Sequence, residues 1–197
     1  MSESQKRRTP TMKQVTLEID GKQVTVDEGT NLLEAARTIG ADIPTLCYDK
    51  RLTPYGGCRL CLVEVAKGKR TRIVASCCYI AEEGIVVKTT TEQIEKLRKT
   101  LVELMMPLAD SGPIKALAER YGLKKSRFEA EHWDCVLCGL CVRYCAEVKG
   151  DHAVFYKGRG VERRLALLPG QEMACSSCRE CWKLCPAGWI SFGEFSS

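Results

Sequence analysis

The sequence predicts an α+β fold in three parts behind a short disordered tail. Residues 13–90 contain short runs in which apolar and polar residues alternate, and residues 91–131 repeat apolar residues at helical spacing. Residues 132–197 carry most of the cysteines, and residues 1–12 are polar and basic, a composition typical of disorder. These patterns predict a β-grasp domain, a helical connector and a cysteine-rich domain.

The first part begins with a predicted β-hairpin. Residues 15–19 alternate apolar and polar side chains before Asp20-Gly21, and the alternation resumes after this turn. A helix is predicted next, with Asn31 as its N-cap, Glu34 at the capping-box position and Gly40 at its end. Further strands are predicted at residues 62–65, 72–75 and 85–87, which completes a sheet crossed by one helix.

Two helices are predicted for the connector. Residues 91–108 form the first, and residues 112–122 the second, with Pro113 in its first turn. The apolar residues expected to face inward on the first helix are Ile94, Leu97, Leu101, Leu104, Met105 and Leu108.

Cysteine is the most informative residue type in the chain. Thirteen cysteines occur in 197 residues, and twelve of them fall into three regularly spaced groups. The second and third groups each read C-x2-C-x2-C-x3-C, and the first reads C-x10-C-x2-C with Cys77 or Cys78 to complete it. The groups are Cys47, Cys58, Cys61 with Cys77 or Cys78; Cys135, Cys138, Cys141, Cys145; and Cys175, Cys178, Cys181, Cys185.

These spacings predict iron–sulfur clusters. A repeated C-x2-C-x2-C-x3-C run is typical of bacterial two-cluster ferredoxins, in which the fourth cysteine of each run ligates the other cluster. The first group is typical of [2Fe–2S] ferredoxins. The fold class is therefore a plant-type ferredoxin β-grasp domain, a helical connector and a bacterial-type two-[4Fe–4S] ferredoxin domain. Cluster A takes Cys135, Cys138, Cys141 and Cys185, and cluster B takes Cys175, Cys178, Cys181 and Cys145.

Zinc and disulfides are the other common uses of closely spaced cysteines. Zinc sites usually pair two C-x2-4-C knuckles rather than three cysteines plus one. Disulfides need an oxidising compartment, and residues 1–10 contain no apolar signal-peptide core. No stretch approaches the roughly 20 apolar residues of a membrane span. We therefore expect a cytoplasmic protein with reduced thiols and no membrane span.

The formal net charge of +5 does not predict a nucleic-acid partner. Each cluster bound by four thiolates contributes a charge of about −2. Three clusters bring the protein to about −1, which removes the basic excess.

Six stretches resemble motifs of known proteins: residues 45–48, 57–65, 74–77, 83–87, 135–150 and 158–160. Through the first four stretches, the first part resembles the N-terminal [2Fe–2S] domain of the large iron–sulfur subunit of complex I, of the diaphorase subunits of NAD-linked [NiFe] hydrogenases and of [FeFe] hydrogenases. Through the last two, the last part is similar to their two-[4Fe–4S] domain.

The resemblance implies Cys77 as the fourth [2Fe–2S] ligand, because the family's Ala-Ser-Cys motif aligns there. Neighbours in an extended strand point to opposite faces, so Cys78 is expected to be a buried, unpaired thiol. Relatives usually carry a further [4Fe–4S] site with one His and three Cys ligands between these domains. Residues 92–131 contain neither Cys nor His, so that site is expected to be absent.

The family implies an electron-relay subunit without a substrate site of its own. The sequence has no G-x-G-x-x-G or P-loop motif. The resemblance therefore implies an FMN-containing, NADH-oxidising partner subunit and a catalytic partner, a hydrogenase or alternatively a formate dehydrogenase. In an electron-bifurcating complex, ferredoxin would be a third redox partner. A free multi-cluster ferredoxin and an iron–sulfur regulator are the alternatives; the first is usually smaller, and the second needs an output domain.

Overall fold

The computed structural model describes residues 13–129 and 135–188. The first part is a mixed sheet of five strands in the order β2-β1-β5-β3-β4. Its strands are β1 (Gln14–Ile19), β2 (Lys22–Asp27), β3 (Leu62–Lys67), β4 (Arg70–Ala75) and β5 (Val86–Lys88). Strand β1 runs parallel to β5, and the other neighbours are antiparallel. The helix α1 (Leu32–Thr38) buries its apolar face in the same core as the strands.

Local sequence signals account for the hairpin and the helix. Asp20 and Gly21 both have positive φ angles, 48° and 78°, as a tight two-residue hairpin turn requires. The Asn31 side chain accepts a 3.0 Å hydrogen bond from the backbone N–H of Glu34, so the predicted N-cap of α1 is confirmed. The α+β prediction for the chain is confirmed as well.

The segment after β4 differs from the prediction. Strand β4 ends at Ala75, and the backbone N–H groups of Cys78 and Tyr79 both donate to the Ala75 carbonyl, at 3.0 and 3.2 Å. Cys77 and Cys78 therefore lie in a turn, where the alternation of strand side chains does not apply. The prediction that Cys78 is buried was wrong, because this turn exposes its side chain.

The connector contains the helices α2 (Glu92–Met105) and α3 (Gly112–Arg120). The predicted inward face of α2 was wrong in part, because Leu97 and Leu104 are exposed. The buried row is instead Ile94, Arg98 and Val102, each fully buried and one helical turn apart. Because the central residue of this row is charged, the spacing of apolar residues did not predict it.

The last part combines a hairpin with short helices. Strands β6 (Val154–Lys157) and β7 (Arg164–Leu167) are antiparallel. The helices are α4 (Leu140–Tyr144), which continues as a π-helical turn (Cys145–Lys149), and α5 (Glu172–Cys178), followed by a 3-10 turn (Glu180–Leu184). The predicted tail (1–12) and the predicted boundary between residues 131 and 132 lie outside the described residues. No helix in the described ranges is long and apolar enough to cross a membrane.

The loop between α1 and β3 joins the parts of the chain. One core lies between the sheet and α1. A second core brings Leu46 and Leu60 of the loop together with Val102 of α2, Ile114 of α3 and Leu140 of α4. The cysteine loop of the first part is therefore packed against the connector and the last part.

Candidate metal centres

The cysteines of the first group lie in two close pairs. Cys47, Cys58, Cys61 and Cys77 are all buried. The sulfurs of Cys61 and Cys77 are 3.3 Å apart, and the backbone N–H of Cys58 donates to the Cys47 sulfur at 3.4 Å. The Cys58 thiol also hydrogen-bonds Cys47. The loop and the turn after β4 thus bring four thiols together in two pairs.

Each pair holds one acidic thiol. Hydrogen bonding from the Cys58 thiol lowers the pKa of Cys47 to about 6, and the nearby backbone N–H groups and Arg143 act in the same direction. The hydrogen bond shared with Cys77 lowers the pKa of Cys61 to about 6. The pKa values of Cys58 and Cys77 are raised, because each shares a hydrogen bond with the more acidic thiol of its pair and is buried. Metal binding at either pair would release its remaining proton, because cysteine binds metals as the thiolate.

Two glycines next to Cys58 lie where the loop packs too tightly for a side chain. A Cβ on Gly57 would lie 2.4 Å from the Tyr55 ring. A Cβ on Gly56, whose φ is +65°, would lie 2.9 Å from the Cys78 sulfur. Side chains at either position would force the loop apart.

The second group begins in the turn before α4 and continues through that helix into the π-helical turn. Cys138 and Cys141 are buried, and Cys135 is partly buried. The backbone N–H of Leu137 donates to the Cys135 sulfur at 3.4 Å. Burial raises the pKa of Cys138 to about 12, with smaller contributions from Cys185 and Cys135. Cys185 interacts in the same way with Cys135 and Cys141, so the last cysteine of the third group faces the second group.

The third group faces the last cysteine of the second. Cys145, Cys175, Cys178 and Cys181 line one cavity. Burial raises the pKa of Cys181 to about 12, and repulsion from Cys175, Cys145 and Cys178 adds to the shift. The Cys145 sulfur accepts a 3.2 Å hydrogen bond from the backbone N–H of Ala153. Cys178 is exposed, so this cavity reaches the surface.

The donor set fits clusters better than single ions. Among the described residues, no three Cys, His, Asp or Glu side chains converge on a single ion position. A cubane does not require such a point, because each of its four thiolates binds a different iron. In a [2Fe–2S] cluster, two thiolates bind each iron, which matches the paired arrangement of the first group.

Arg98 is a residue at the first site that the sequence prediction missed. Its side chain is fully buried, and its Nε and Nη2 donate to the carbonyls of Leu60 and Leu62 at 3.0 and 2.8 Å. Nη2 also donates to the Thr89 carbonyl at 3.0 Å. Leu60 and Leu62 flank Cys61, so a guanidinium from α2 holds the backbone on both sides of a candidate ligand. Its place one turn from Ile94 and from Val102 is the signal that could have revealed it.

Arg143 is the second residue at the first site that the sequence prediction missed. It lies on α4 between Cys141 and Cys145, and its guanidinium donates to the carbonyls of Cys47 at 2.6 Å and Thr53 at 2.7 Å. The last part of the chain is thereby bonded directly to a candidate ligand residue of the first. Its sequence position between two candidate ligands was the only available signal.

A β-grasp sheet whose loop carries buried, paired cysteines defines the class of [2Fe–2S] iron–sulfur domains. In agreement, residues 12–92 match the family described as 2Fe-2S iron-sulfur cluster binding domain.

Comparison with known proteins extends the likeness beyond this segment. The chain is 32% identical to the alpha subunit of the NADPH-Fe(3+) oxidoreductase of Geobacter sulfurreducens, over 89% of the chain and 24% of that protein. It is also 31% identical to NADP-reducing hydrogenase subunit HndD of Solidesulfovibrio fructosivorans, over 93% of the chain and 37% of that protein. The chain therefore spans well under half the length of these curated relatives.

A solved structure gives the same result. A chain of the NAD+-reducing [NiFe]-hydrogenase in the H2-reduced state matches with a TM-score of 0.71 and 29% identity, over 80% of this chain and 76% of that one. The resemblance inferred from the motifs is confirmed: the chain is a homologue of subunits of oxidoreductase complexes.

Proposed function

We propose that the chain is an electron-relay iron–sulfur subunit of an NAD(P)H-linked oxidoreductase complex, with one [2Fe–2S] and two [4Fe–4S] clusters. The [2Fe–2S] ligands are Cys47, Cys58, Cys61 and Cys77; cluster A is held by Cys135, Cys138, Cys141 and Cys185, and cluster B by Cys175, Cys178, Cys181 and Cys145. The organisation is a β-grasp domain at 13–90, a connector at 91–131 and a two-cluster domain at 132–197.

The observation that carries the proposal is the continuity of the three cysteine groups. Cys47 of the first group lies close enough to Cys138 of the second for their charges to interact. Cys141 of the second group interacts in the same way with Cys181 of the third. Because each group borders the next within one packed core, electrons would pass between the [2Fe–2S] site and cluster B through cluster A.

The partners follow from what the chain lacks and what it resembles. The sequence has no phosphate-binding glycine motif, so the nucleotide and its flavin belong to an FMN-containing, NADH-oxidising subunit. The catalytic partner is a hydrogenase, in line with two of the proteins it matches, with formate dehydrogenase as the alternative. A bifurcating complex would add ferredoxin. Thiolate-held clusters suit a reducing compartment such as the cytoplasm.

Iron analysis tests the cluster content. We expect the anaerobically purified chain to contain about 10 iron atoms and about 10 acid-labile sulfides, the content of one [2Fe–2S] and two [4Fe–4S] clusters. Saturation near six iron atoms, or stoichiometric zinc, would contradict the proposal.

Reduction by NADH tests the relay role. Dithionite should reduce the clusters of the isolated chain, whereas NADH alone should leave their visible absorbance unchanged, because no flavin mediates the transfer. Adding the cognate flavoprotein subunit should make NADH bleach them. Rapid bleaching by NADH in the chain alone would show that the chain binds the nucleotide itself, and the relay proposal would then be wrong.

Substitution of Cys145 tests the crossed ligands. We expect Cys145→Ala to convert or remove cluster B while the spectrum of cluster A persists, because Cys145 lines one cavity with Cys175 and Cys181. The matched variant is Cys185→Ala, which should damage cluster A first. Low-temperature EPR of the two dithionite-reduced variants distinguishes these outcomes. Loss of the same cluster in both variants would contradict the crossing.

A further inference from the structure

Arg143 forms a direct polar connection between two of the candidate centres. Arg143 lies on α4 between Cys141 and Cys145, which are assigned to clusters A and B. Its guanidinium reaches across to the loop of the first part and bonds the carbonyls of Cys47 and Thr53, which lie 96 and 90 residues away in sequence. The Tyr55 ring lies 5.2 Å from the guanidinium carbon. One side chain therefore sets the position of the Cys47 backbone relative to α4.

The charge of this guanidinium is not neutralised by an ion pair. No carboxylate in the described ranges lies within ion-pair distance of Arg143, and Asp49, whose charge interacts with it, forms a 2.7 Å ion pair with Arg51 instead. The guanidinium donates a 2.6 Å hydrogen bond to the Cys47 carbonyl, so its positive charge lies beside a candidate ligand residue. A positive charge beside a thiolate also stabilises the more negative, reduced form of a cluster bound there.

The Nε–H of Arg143 is a second indication that this side chain borders the second cysteine group. It is buried and has no hydrogen-bond partner among the described residues. A Cβ built on Gly139, between Cys138 and Cys141, would lie 3.9 Å from Nε, so the unpaired donor lies beside the second cysteine group. Buried donors are rarely left unpaired. A cluster held by the second cysteine group would supply a sulfur acceptor for the Nε–H of Arg143.

We propose that Arg143 is a positioning residue that holds the [2Fe–2S] loop against cluster A and raises the reduction potential of the [2Fe–2S] cluster. This inference rests on the proposed function. The side chain takes no part in the redox step, in which one electron leaves the reduced [2Fe–2S] cluster and reduces cluster A. Its role is to fix the separation of the two centres through two hydrogen bonds, and to favour the reduced state through its charge.

The test uses the full chain with all clusters bound, in three variants. Arg143→Gln removes the charge and the paired bonds, whereas Arg143→Lys keeps the charge but has no fork to span both carbonyls. The matched control is Arg59→Gln, which removes an equal charge next to Cys58, but from an exposed side chain. Anaerobic redox titration followed by EPR gives the [2Fe–2S] potential, and spin relaxation of the reduced [2Fe–2S] signal reports its distance from reduced cluster A.

We expect Arg143→Gln to disfavour reduction of the [2Fe–2S] cluster about tenfold, a fall of about 59 mV for one electron. Its spin interaction with cluster A should also weaken. Arg143→Lys should retain most of the potential but show the weakened interaction, and Arg59→Gln should change neither, because water screens an exposed charge. If Arg143→Gln does not assemble its [2Fe–2S] cluster, the proposal is decided by the spin interaction in Arg143→Lys, which keeps the charge but not the paired hydrogen bonds.

A potential shift in Arg143→Gln no larger than that of Arg59→Gln, with an unchanged spin interaction, would overturn the inference. An unchanged spin interaction in Arg143→Lys would overturn its positioning role. Failure of the proposed function is recognised separately, because it would appear in the unsubstituted chain as a missing cluster or a wrong iron content.

Discussion

Cys77→Ser should abolish the [2Fe–2S] signal and remove about two iron atoms per chain, whereas Cys78→Ser should leave both unchanged. Cys77 is buried with its sulfur 3.3 Å from that of Cys61, close enough for the two thiolates to share one iron after a small separation. Cys78 is exposed, and its sulfur lies 3.6 Å from that of Cys77. Low-temperature EPR and iron analysis of the two variants measure the difference.

Cys78 is a matched control because it adjoins Cys77 and carries the same thiol. Cys61→Ser should behave like Cys77→Ser, since it removes the other member of the pair. Loss of the signal in Cys78→Ser, with retention in Cys77→Ser, would make Cys78 the fourth ligand and refute the paired arrangement.

Arg98→Met should destabilise the whole chain. Methionine fills a similar volume but leaves the buried carbonyls of Leu60, Leu62 and Thr89 without their donor. At about 1 kcal/mol or more for each unsatisfied carbonyl, we expect the free energy of unfolding to fall by about 3 kcal/mol. In a chain of this size that corresponds to a fall of about 6–12 °C in the unfolding midpoint. Anaerobic thermal unfolding of the cluster-loaded protein, followed by circular dichroism and visible absorbance, measures it.

The control for Arg98 is Arg37→Met on α1. Arg37 and Arg98 each form an ion pair with a glutamate three residues earlier, at 2.8 and 2.9 Å. The Arg37 pair is exposed, so its loss should change stability by less than about 1 kcal/mol. Because Arg98 flanks the Cys61 segment, Arg98→Met should also lose its [2Fe–2S] absorbance before its secondary structure on heating. Equal midpoints for the two variants would show that the buried hydrogen bonds contribute little.

Local features of the sequence were enough to predict the first part of the fold and the chemistry of its site. The Asp20-Gly21 turn and the Asn31 cap act on residues within one turn of themselves, so their consequences could be inferred without knowing any distant contact. Cysteine spacing is also a local feature, because two residues between thiols allow a short loop to wrap one metal centre. The iron–sulfur class was therefore predictable, whereas the ligand assignments remain predictions.

The way these segments meet depends on tertiary contacts that no local pattern contains. Arg98 lies inward on α2 because carbonyls 36 and 38 residues away accept its hydrogen bonds, and nothing within the helix encodes those partners. A strand had been expected at Cys77 and Cys78, but the chain forms a turn there. In this turn Cys77 is buried and Cys78 is exposed.

The junction between the centres depends most strongly on long-range contacts. Arg143 bonds a residue more than 90 positions away, and Cys185 faces the group that begins at Cys135. Hydrogen bonds and charges join residues that are close in space, whereas cysteine spacing and apolar periodicity describe residues that are close in sequence. The order of residues therefore specifies which atoms can bind iron, and the packing of the shared core selects which of them come together and which arginines support them.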